Sequence, residues 1–325
     1  MEKIGMGFIG AGGIARKMAD TIIRMDSVKP CAVAARDAER AQRFAAEFGF
    51  EKSYGSYDEM LDDPEVELVY IATPHSHHFD HAKLCLENGK HVLCEKAFTA
   101  NAQQAEALIE LARGKGLLLA EAIWTRYMPL SATLSTLLTD GVIGTVSALT
   151  ANLGYLISTK ERIKEPALAG GALLDVGVYP LNFALMALGA DIERIVSAAV
   201  KMETGVDAQN CFTLCYRDGK MAILNSSALT QTDRRGVIYG DMGNIIVDNI
   251  NNPDRLRIIG NDGQEKGAYE RPSQISGYEY EVEAAVRAIR EGAVECAEMP
   301  HSEILRVMKI MDSLRAEWGI RYPFE

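Results

Sequence analysis

Hydrophobic positions change their period along this chain, and the change divides it. An apolar run at Ile4, Met6, Phe8 and Ile9 stops at Gly10-Ala11-Gly12-Gly13-Ile14-Ala15 and resumes at helical spacing through Ile14, Met18, Ile22 and Ile23. That pattern predicts a strand, a tight turn and a helix. Further strands are predicted at Pro30–Ala35, Glu67–Thr73, His91–Glu95 and Leu117–Glu121, with helices of about a dozen residues between them. Glu67–Thr73 carries few charges, as expected of a strand covered on both faces. The alternation predicts a doubly wound parallel sheet over residues 1–122.

Beyond Ala122 the rhythm becomes that of a different layer. After a helix over Pro129–Thr139 come β-rich stretches at Val146–Tyr155, Ile195–Met202, Asn210–Tyr216, Met221–Ala228, Gly236–Tyr239, Asn244–Val247 and Leu256–Ile259. Asp218-Gly219 and Asp241-Met242-Gly243 are turn signals between them. Helices are predicted at Tyr278–Arg290 and Ser302–Glu317; in the last, Ile304, Leu305, Met308, Met311 and Leu314 form one packing stripe. The fold class is therefore α/β: an N-terminal Rossmann-type domain, then an α+β domain over 123–325 with a large, mainly antiparallel open sheet.

The glycine turn is where chemistry enters. The string is G-x-G-x-x-A: Gly10 permits the turn, Gly12 lets the backbone approach a diphosphate, and Ala15 lets the helix pack close. Gly13 and Ile14 open a helix whose free N–H groups and dipole favour an anion. The bland alternative is a strand–helix turn that binds nothing. At the end of the second strand stands Arg36, which suits the 2′-phosphate of NADP, with Arg40 one turn on as support. Asp37 is better employed capping the next helix; turned to the ribose instead, it would give NAD or mixed use.

Composition narrows the partners. The chain of 325 residues is 48% hydrophobic and 24% charged, with net charge −11, which argues against nucleic acid or an anionic membrane as main partner. No apolar run reaches about 18 residues, so no membrane span is expected. The sequence enters a strand directly, with no export signal, and its six cysteines form no CxxC pair, so a cytoplasmic protein with reduced thiols is expected.

Two strand ends carry suggestive groups: Thr73-Pro74-His75-Ser76-His77-His78 and Glu95-Lys96-Ala97. His77 and His81 fall at i, i+4, but no cysteine or acidic triad completes a ligand set, so no metal is expected. Thr73 and Pro74 would skirt the cofactor and His78 wall its nicotinamide region, the other histidines being surface residues. The segment Gly171–Gly189 reads as a strongly apolar helix into which Asp175 and Tyr179 intrude, four residues apart and thus on one face. A buried acid there needs a partner, and Lys96 is the expected one.

Together IGAGGIA, IATPHSHHFDHAKLCLENGKHVLCEKA, EAIWTRYMP and GGALLDVGVYPLNFALMALG resemble the Gfo/Idh/MocA oxidoreductases over nearly the whole chain. VAARDAERA, YGSYDEML, EAIWTR and ETGVD resemble its branch of dimeric dihydrodiol dehydrogenases, which also act as NADP-dependent D-xylose dehydrogenases. The resemblance implies that Lys96 is the lysine of a Glu-Lys-Pro motif reaching the reacting oxygen, and that Glu95 approaches the nicotinamide ribose. Trp124 and Arg126 would line the cofactor and substrate cleft. Asp175 and Tyr179 would match D-x-G-x-H/Y. Ala97 departs from the motif's proline and removes its restraint on Lys96. The family uses its open sheet to dimerise, so at least a homodimer is expected.

The expected reaction is hydride transfer between NADP(H), or NAD(H), and a hydroxyl-bearing carbon of a sugar, polyol or cyclic diol. Tyr179 would be acid/base, helped by Lys96, with Asp175 holding Lys96 or a substrate hydroxyl. A phenol of pKa ~10 needs roughly 4 kcal/mol of differential stabilisation to act as base near neutrality. The alternatives are a glucose-fructose-type transhydrogenase that keeps its cofactor and a non-catalytic NADP sensor.

Overall fold

The computed structural model describes residues 2–325, which form two compact units. One runs to Ile123 and also takes in Gln274–Lys309; the other comprises Trp124–Ser273 and Ile310–Glu325.

In the first unit the strands are β1 (Ile4–Ile9), β2 (Val28–Ala34), β3 (Lys52–Tyr54), β4 (Leu68–Ile71), β5 (His91–Glu95) and β6 (Leu119–Ala122). They alternate with α1 (Gly13–Ile22), α2 (Ala38–Phe48), α3 (Tyr57–Leu61), α4 (His78–Glu87) and α5 (Ala102–Lys115). All pairings are parallel, in the order β3-β2-β1-β4-β5-β6. The order reverses between β1 and β4, and ligands of such sheets bind at the strand ends beside the reversal. Every residue of β1 is buried, and Phe8 packs against Phe50 and Tyr70 with ring centres 5.0 and 5.1 Å apart.

The stretch Gln274–Lys309, which the sequence pattern groups with residues 123–325, packs in this first unit. Leu119 N–H donates to Val294 O at 3.0 Å, and the hydroxyls of Thr21 and Ser276 lie 2.8 Å apart.

The second unit holds α6 (Pro129–Thr139), β7 (Val146–Gly154), α7 (Glu161–Lys164) and α8 (Val178–Leu188). There follow β8 (Ile192–Lys201), β9 (Asp207–Tyr216), β10 (Met221–Ser227), β11 (Gly236–Gly240), β12 (Gly243–Asp248), β13 (Arg255–Gly260) and β14 (Glu265–Glu270). The sheet order is β14-β13-β12-β11-β7-β10-β9-β8, antiparallel except for the parallel pair β7–β10. Two helices close the chain, α9 (Glu279–Arg290) and α10 (His301–Glu317).

The expected continuous helix over Gly171–Gly189 is interrupted. Leu173–Gly177 is a π-helical turn, and α8 begins only at Val178. Glycines and an acid explain the entry: Gly171 has φ +119°, and a side chain there would collide with the carboxylate of Asp207. That carboxylate accepts from Leu173 N–H at 2.7 Å. Pro166–Leu188 also corrects the reading that no apolar run is long enough for a membrane span, since it has the length and hydropathy of one. Its most apolar window is 78% buried within the protein, as a core helix is.

Candidate active site

The turn after β1 is shaped for an anion. Gly10 has φ +100°, and an added Cβ would stand 3.0 Å from Ala72 O, so geometry and space both demand glycine. Gly12 is the N-cap of α1 and brings no side-chain cap, while an added Cβ at Gly13 would meet nothing within 4 Å. The helix therefore starts with uncapped N–H groups facing open space, the arrangement that receives a phosphate.

Around it lies a cavity of about 310 Å³ lined by Ala11, Gly12, Gly13, Arg16, Arg40, Arg43 and Phe44. Arg40 is held by Ala11 O, 3.0 Å from Nη2, and Arg16 pairs with Glu47 and lies over the Phe48 ring at 5.2 Å. Guanidinium groups from α1 and α2 thus gather around one turn, Arg16 beside Glu47 and Arg43 beside Glu39, in an otherwise acidic chain. Arg36, the strand-end residue expected from sequence, does not line this cavity; its charge acts on Tyr57 and His81. Asp37 caps α2 as expected, accepting from Arg40 N–H at 3.2 Å.

Thr73 and Pro74 follow β4, and His78 opens α4. His78 is fully buried: its Nδ1 lies 2.9 Å from Ala97 O and its Nε2 2.8 Å from Thr73 O. Burial pushes the ring down to about 4 although the carbonyls favour its protonated form, so near neutrality it donates only one of these bonds. His78 is thus a brace between two strand-end turns. The other histidines are not simple surface groups either. His75 is buried, and the His81 ring packs edge-on to Tyr57 and lies 3.1 Å from Thr73 Oγ1. Among the described residues, the one cluster with metal-ligand spacing is Cys31, Glu51 and Glu65, which contains none of the histidines.

Glu95 ends β5 with its carboxylate gripped on both sides. The Tyr70 hydroxyl donates to Oε1, and Lys96 N–H donates to Oε2 at 3.2 Å. The Lys96–Ala97 peptide is cis, and Ala97 is completely buried. Phe98 N–H donates to Glu121 at 3.1 Å. Glu281, from α9, is completely buried near these acids, with no hydrogen-bond partner at either oxygen among the described residues. Burial first, then the charges of Glu95 and Glu121, push its carboxyl well above the ordinary range.

In the second unit Trp124 and Arg126 occupy a 3-10 turn, Trp124–Tyr127. Arg126 Nε donates to Asn182 Oδ1 at 2.7 Å, and Asn182 Nδ2 to Val178 O at 2.9 Å, so Arg126 is tied to the first turn of α8. Tyr179 is the second residue of that helix and is 9% exposed. Asp175, in the preceding π turn, is 4% exposed and forms an ion pair with Arg162 of α7.

Comparison with known proteins fits this arrangement. Residues 4–122 match the oxidoreductase family with an NAD-binding Rossmann fold, and residues 131–246 match the GFO/IDH/MocA C-terminal domain. A D-xylose 1-dehydrogenase (NADP(+)) of Hypocrea jecorina is 33% identical over 363 aligned positions, covering 98% of this chain and 92% of that protein.

The chain belongs to the Gfo/Idh/MocA oxidoreductase family.

The human trans-1,2-dihydrobenzene-1,2-diol dehydrogenase is also 33% identical, covering 90% of this chain and 89% of its own. Among solved structures, KijD10, a 3-ketoreductase from Actinomadura kijaniata in complex with NADP and TDP-benzene, superposes with a TM-score of 0.87. The two are 26% identical, with 97% of this chain and 98% of that one covered. Like those relatives this Gfo/Idh/MocA member is an oxidoreductase with a nicotinamide-nucleotide fold.

Sequence reasoning about this family member missed Arg16, Arg43, Arg162, Asn182 and Glu281. The loop Thr159–Glu165 is visibly charged, but nothing in its sequence singles out Arg162. Arg16 and Arg43 read as solvated helix residues, and Glu281 as one of several acids on α9.

Proposed function

We propose that the protein is an NADP-dependent dehydrogenase acting on a CH–OH group of a neutral sugar, polyol or cyclic diol. The observation that carries this reading is the uncapped start of α1 ringed by Arg16, Arg40 and Arg43. The helix N-terminus suits a diphosphate, and three guanidinium groups suit an additional phosphate, which distinguishes NADP from NAD. The NADP use of the xylose-dehydrogenase relative supports the same preference; NAD is the alternative cofactor.

When bound, the cofactor supplies the hydride acceptor or donor. Gly10, Gly12, Gly13, Ile14 and Ala15 form its phosphate turn, and Thr73, Pro74, Glu95, Trp124 and Arg126 are proposed to line its path. Arg36 remains a proposed secondary contact, and His78 is proposed to act from behind through Thr73 and Ala97. Tyr179 exchanges a proton with the substrate hydroxyl, the ammonium of Lys96 lowers the cost of its phenolate, and Asp175 orients the reacting groups. The retained acid/base set favours an enzyme over a sensor.

The test is fluorescence titration with NADPH and NADH, followed by NADP-linked oxidation of xylose, glucose, 1,5-anhydro sugars and cyclic diols. Tighter NADPH binding with turnover of one substrate group is expected. NADPH binding without any turnover would leave the sensor.

We also propose a homodimer through the outer face of the eight-stranded sheet. Val196, Val200, Met221, Ile223 and Tyr239 are exposed apolar residues on β8, β10 and β11, and such a patch calls for a partner. Sedimentation should show a dimer that Ile223→Glu weakens. A cytoplasmic location is supported by the free state of all six cysteines.

A further inference from the structure

Beyond α10 the chain turns back within the second unit and reaches the entry of the π turn. Tyr322 is 3% exposed there, and its hydroxyl donates to Gly170 O at 2.9 Å, across 152 positions of sequence. Gly170 is itself buried and packs so tightly on Ile163 O and Glu165 O that any side chain would collide with them. A carbonyl buried in that way needs a donor, and the phenol brings one from far along the chain.

The phenol is held in turn. The Arg315 guanidinium lies over the Tyr322 ring at 4.5 Å and grips both carboxylate oxygens of Glu325, at 2.9 and 2.8 Å. Glu325 Oε2 also accepts from Tyr322 N–H at 2.9 Å, which closes the circle of contacts. A two-pronged ion pair of this kind fixes orientation as well as distance.

Arg315 also acts on a second support of the same turn. The Asp207 carboxylate accepts from Leu173 N–H and from Asn210 Nδ2, each at 2.7 Å. Burial pushes its carboxyl up, and these two bonds and the charge of Arg315 work against that rise. Asn210 Oδ1 accepts from Ser226 Oγ at 3.0 Å, and that hydroxyl would stand 2.9 Å from a Cβ at Gly177. The π turn is thus held at its entry by Tyr322 and along its length by the Asp207 group.

We propose that Tyr322, clasped by Arg315 and Glu325, is a positioning residue: through Gly170 it fixes the π turn and so the placement of Asp175 and Tyr179. Its action runs through the backbone. For its effect on turnover the inference rests on the proposed acid/base role of Tyr179.

In the full-length protein, Tyr322→Phe removes only the hydroxyl. Amide hydrogen exchange of residues 171–179, followed by mass spectrometry without substrate, should quicken by about tenfold while β12 and β13 keep the parent's protection. With substrate, kcat per NADPH-binding site should fall by about tenfold and KM stay within about threefold, since a misplaced proton-transfer group slows the chemical step without loosening the substrate. A merely structural tail would exchange faster at residues 315–325 alone and keep the parental kcat per binding site; either result overturns the proposal. Trp318→Phe is the control, because it breaks the tail's bond to Ser197 Oγ, 2.9 Å from Nε1, and should leave residues 171–179 at the parental rate. Equal quickening there would mean general loosening and would also overturn it. Tyr179→Phe, assayed alongside, keeps the two readings apart: parental turnover in that variant strikes the acid/base assignment, while the exchange result still decides the role of Tyr322.

Discussion

The imidazole of His78 lies 2.9 Å from the carbonyl oxygen of Ala97, the residue after the proposed reactive lysine. Its other nitrogen is 2.8 Å from Thr73 O, so one buried ring ties together the turns that follow β4 and β5. Truncating it would leave a cavity and two under-satisfied carbonyls. His78→Ala should therefore cost about 2–4 kcal/mol of stability and lower kcat more than NADPH affinity. The ring titrates at about 4 when folded, against an ordinary value of 6.5, so the unfolded chain binds its proton more readily. Its stabilising share is present above pH 6.5 and is lost as pH falls toward 4, roughly 3 kcal/mol at most. Urea unfolding between pH 7 and 4.5 should show a shallower acid decline in His78→Gln than in the parent; equal slopes would contradict this account.

Glu281 predicts the opposite pH trend. Its carboxyl is raised well above the ordinary 4.5 in the folded protein, so the native state holds the proton more firmly than the unfolded chain. Stability attributable to this group is greatest below pH 4.5 and declines as pH rises toward the folded value. Glu281→Gln mimics the protonated acid and should stabilise the protein by about 1–3 kcal/mol at alkaline pH, with little effect at pH 5. Melting temperatures of both proteins across pH 5 to 9 provide the test, and parallel curves would remove the argument.

Turnover should depend on two proposed chemical groups. Tyr179→Phe and Lys96→Ala are each expected to lower kcat by about 10²–10⁴ while NADPH affinity stays within a few fold. Single-turnover absorbance at 340 nm separates hydride transfer from binding. Parent-like rates in both variants would end the acid/base assignment.

The guanidinium cluster carries the cofactor preference. Arg40→Ala and Arg43→Ala should each weaken NADP binding by about tenfold or more and leave NAD nearly unchanged, with the parental difference shrinking at high salt. Arg36→Ala, whose side chain lies outside the cavity, should have the smaller effect. A larger loss from Arg36 than from either cavity arginine would restore the strand-end residue to the leading role.

Much of this site is legible in one dimension because its signals are local. The glycine turn is written in consecutive residues, and Lys96 follows immediately after a recognisable strand. Arg16 and Arg43 are not legible in that way. They lie on two exposed helix surfaces, where charge is the default, and only the packing of the first helices around the turn gathers them at one cavity. The acids of α9 show the reverse problem: Glu283 bonds Ser27 at the surface, while Glu281, two residues earlier, is completely buried. The strand β14, EKGAYE, shows no apolar alternation and goes unpredicted; it exists by pairing along β13 as a charged sheet edge. The π turn is hidden because its causes, Asp207 and the close approach at Gly171, are separated by more than thirty residues.

The chain's return to its first unit at Gln274–Lys309 has a consequence for biosynthesis. A ribosome completes β6 about 170 residues before it makes Val294, whose carbonyl receives the Leu119 N–H. The nucleotide-binding half cannot reach its finished form as an early cotranslational intermediate; it must wait while the strands of the other half emerge. A fragment ended at Ile123 would lack Val294 and the whole of α9, so an isolated version of that half should be built by splicing the two stretches together.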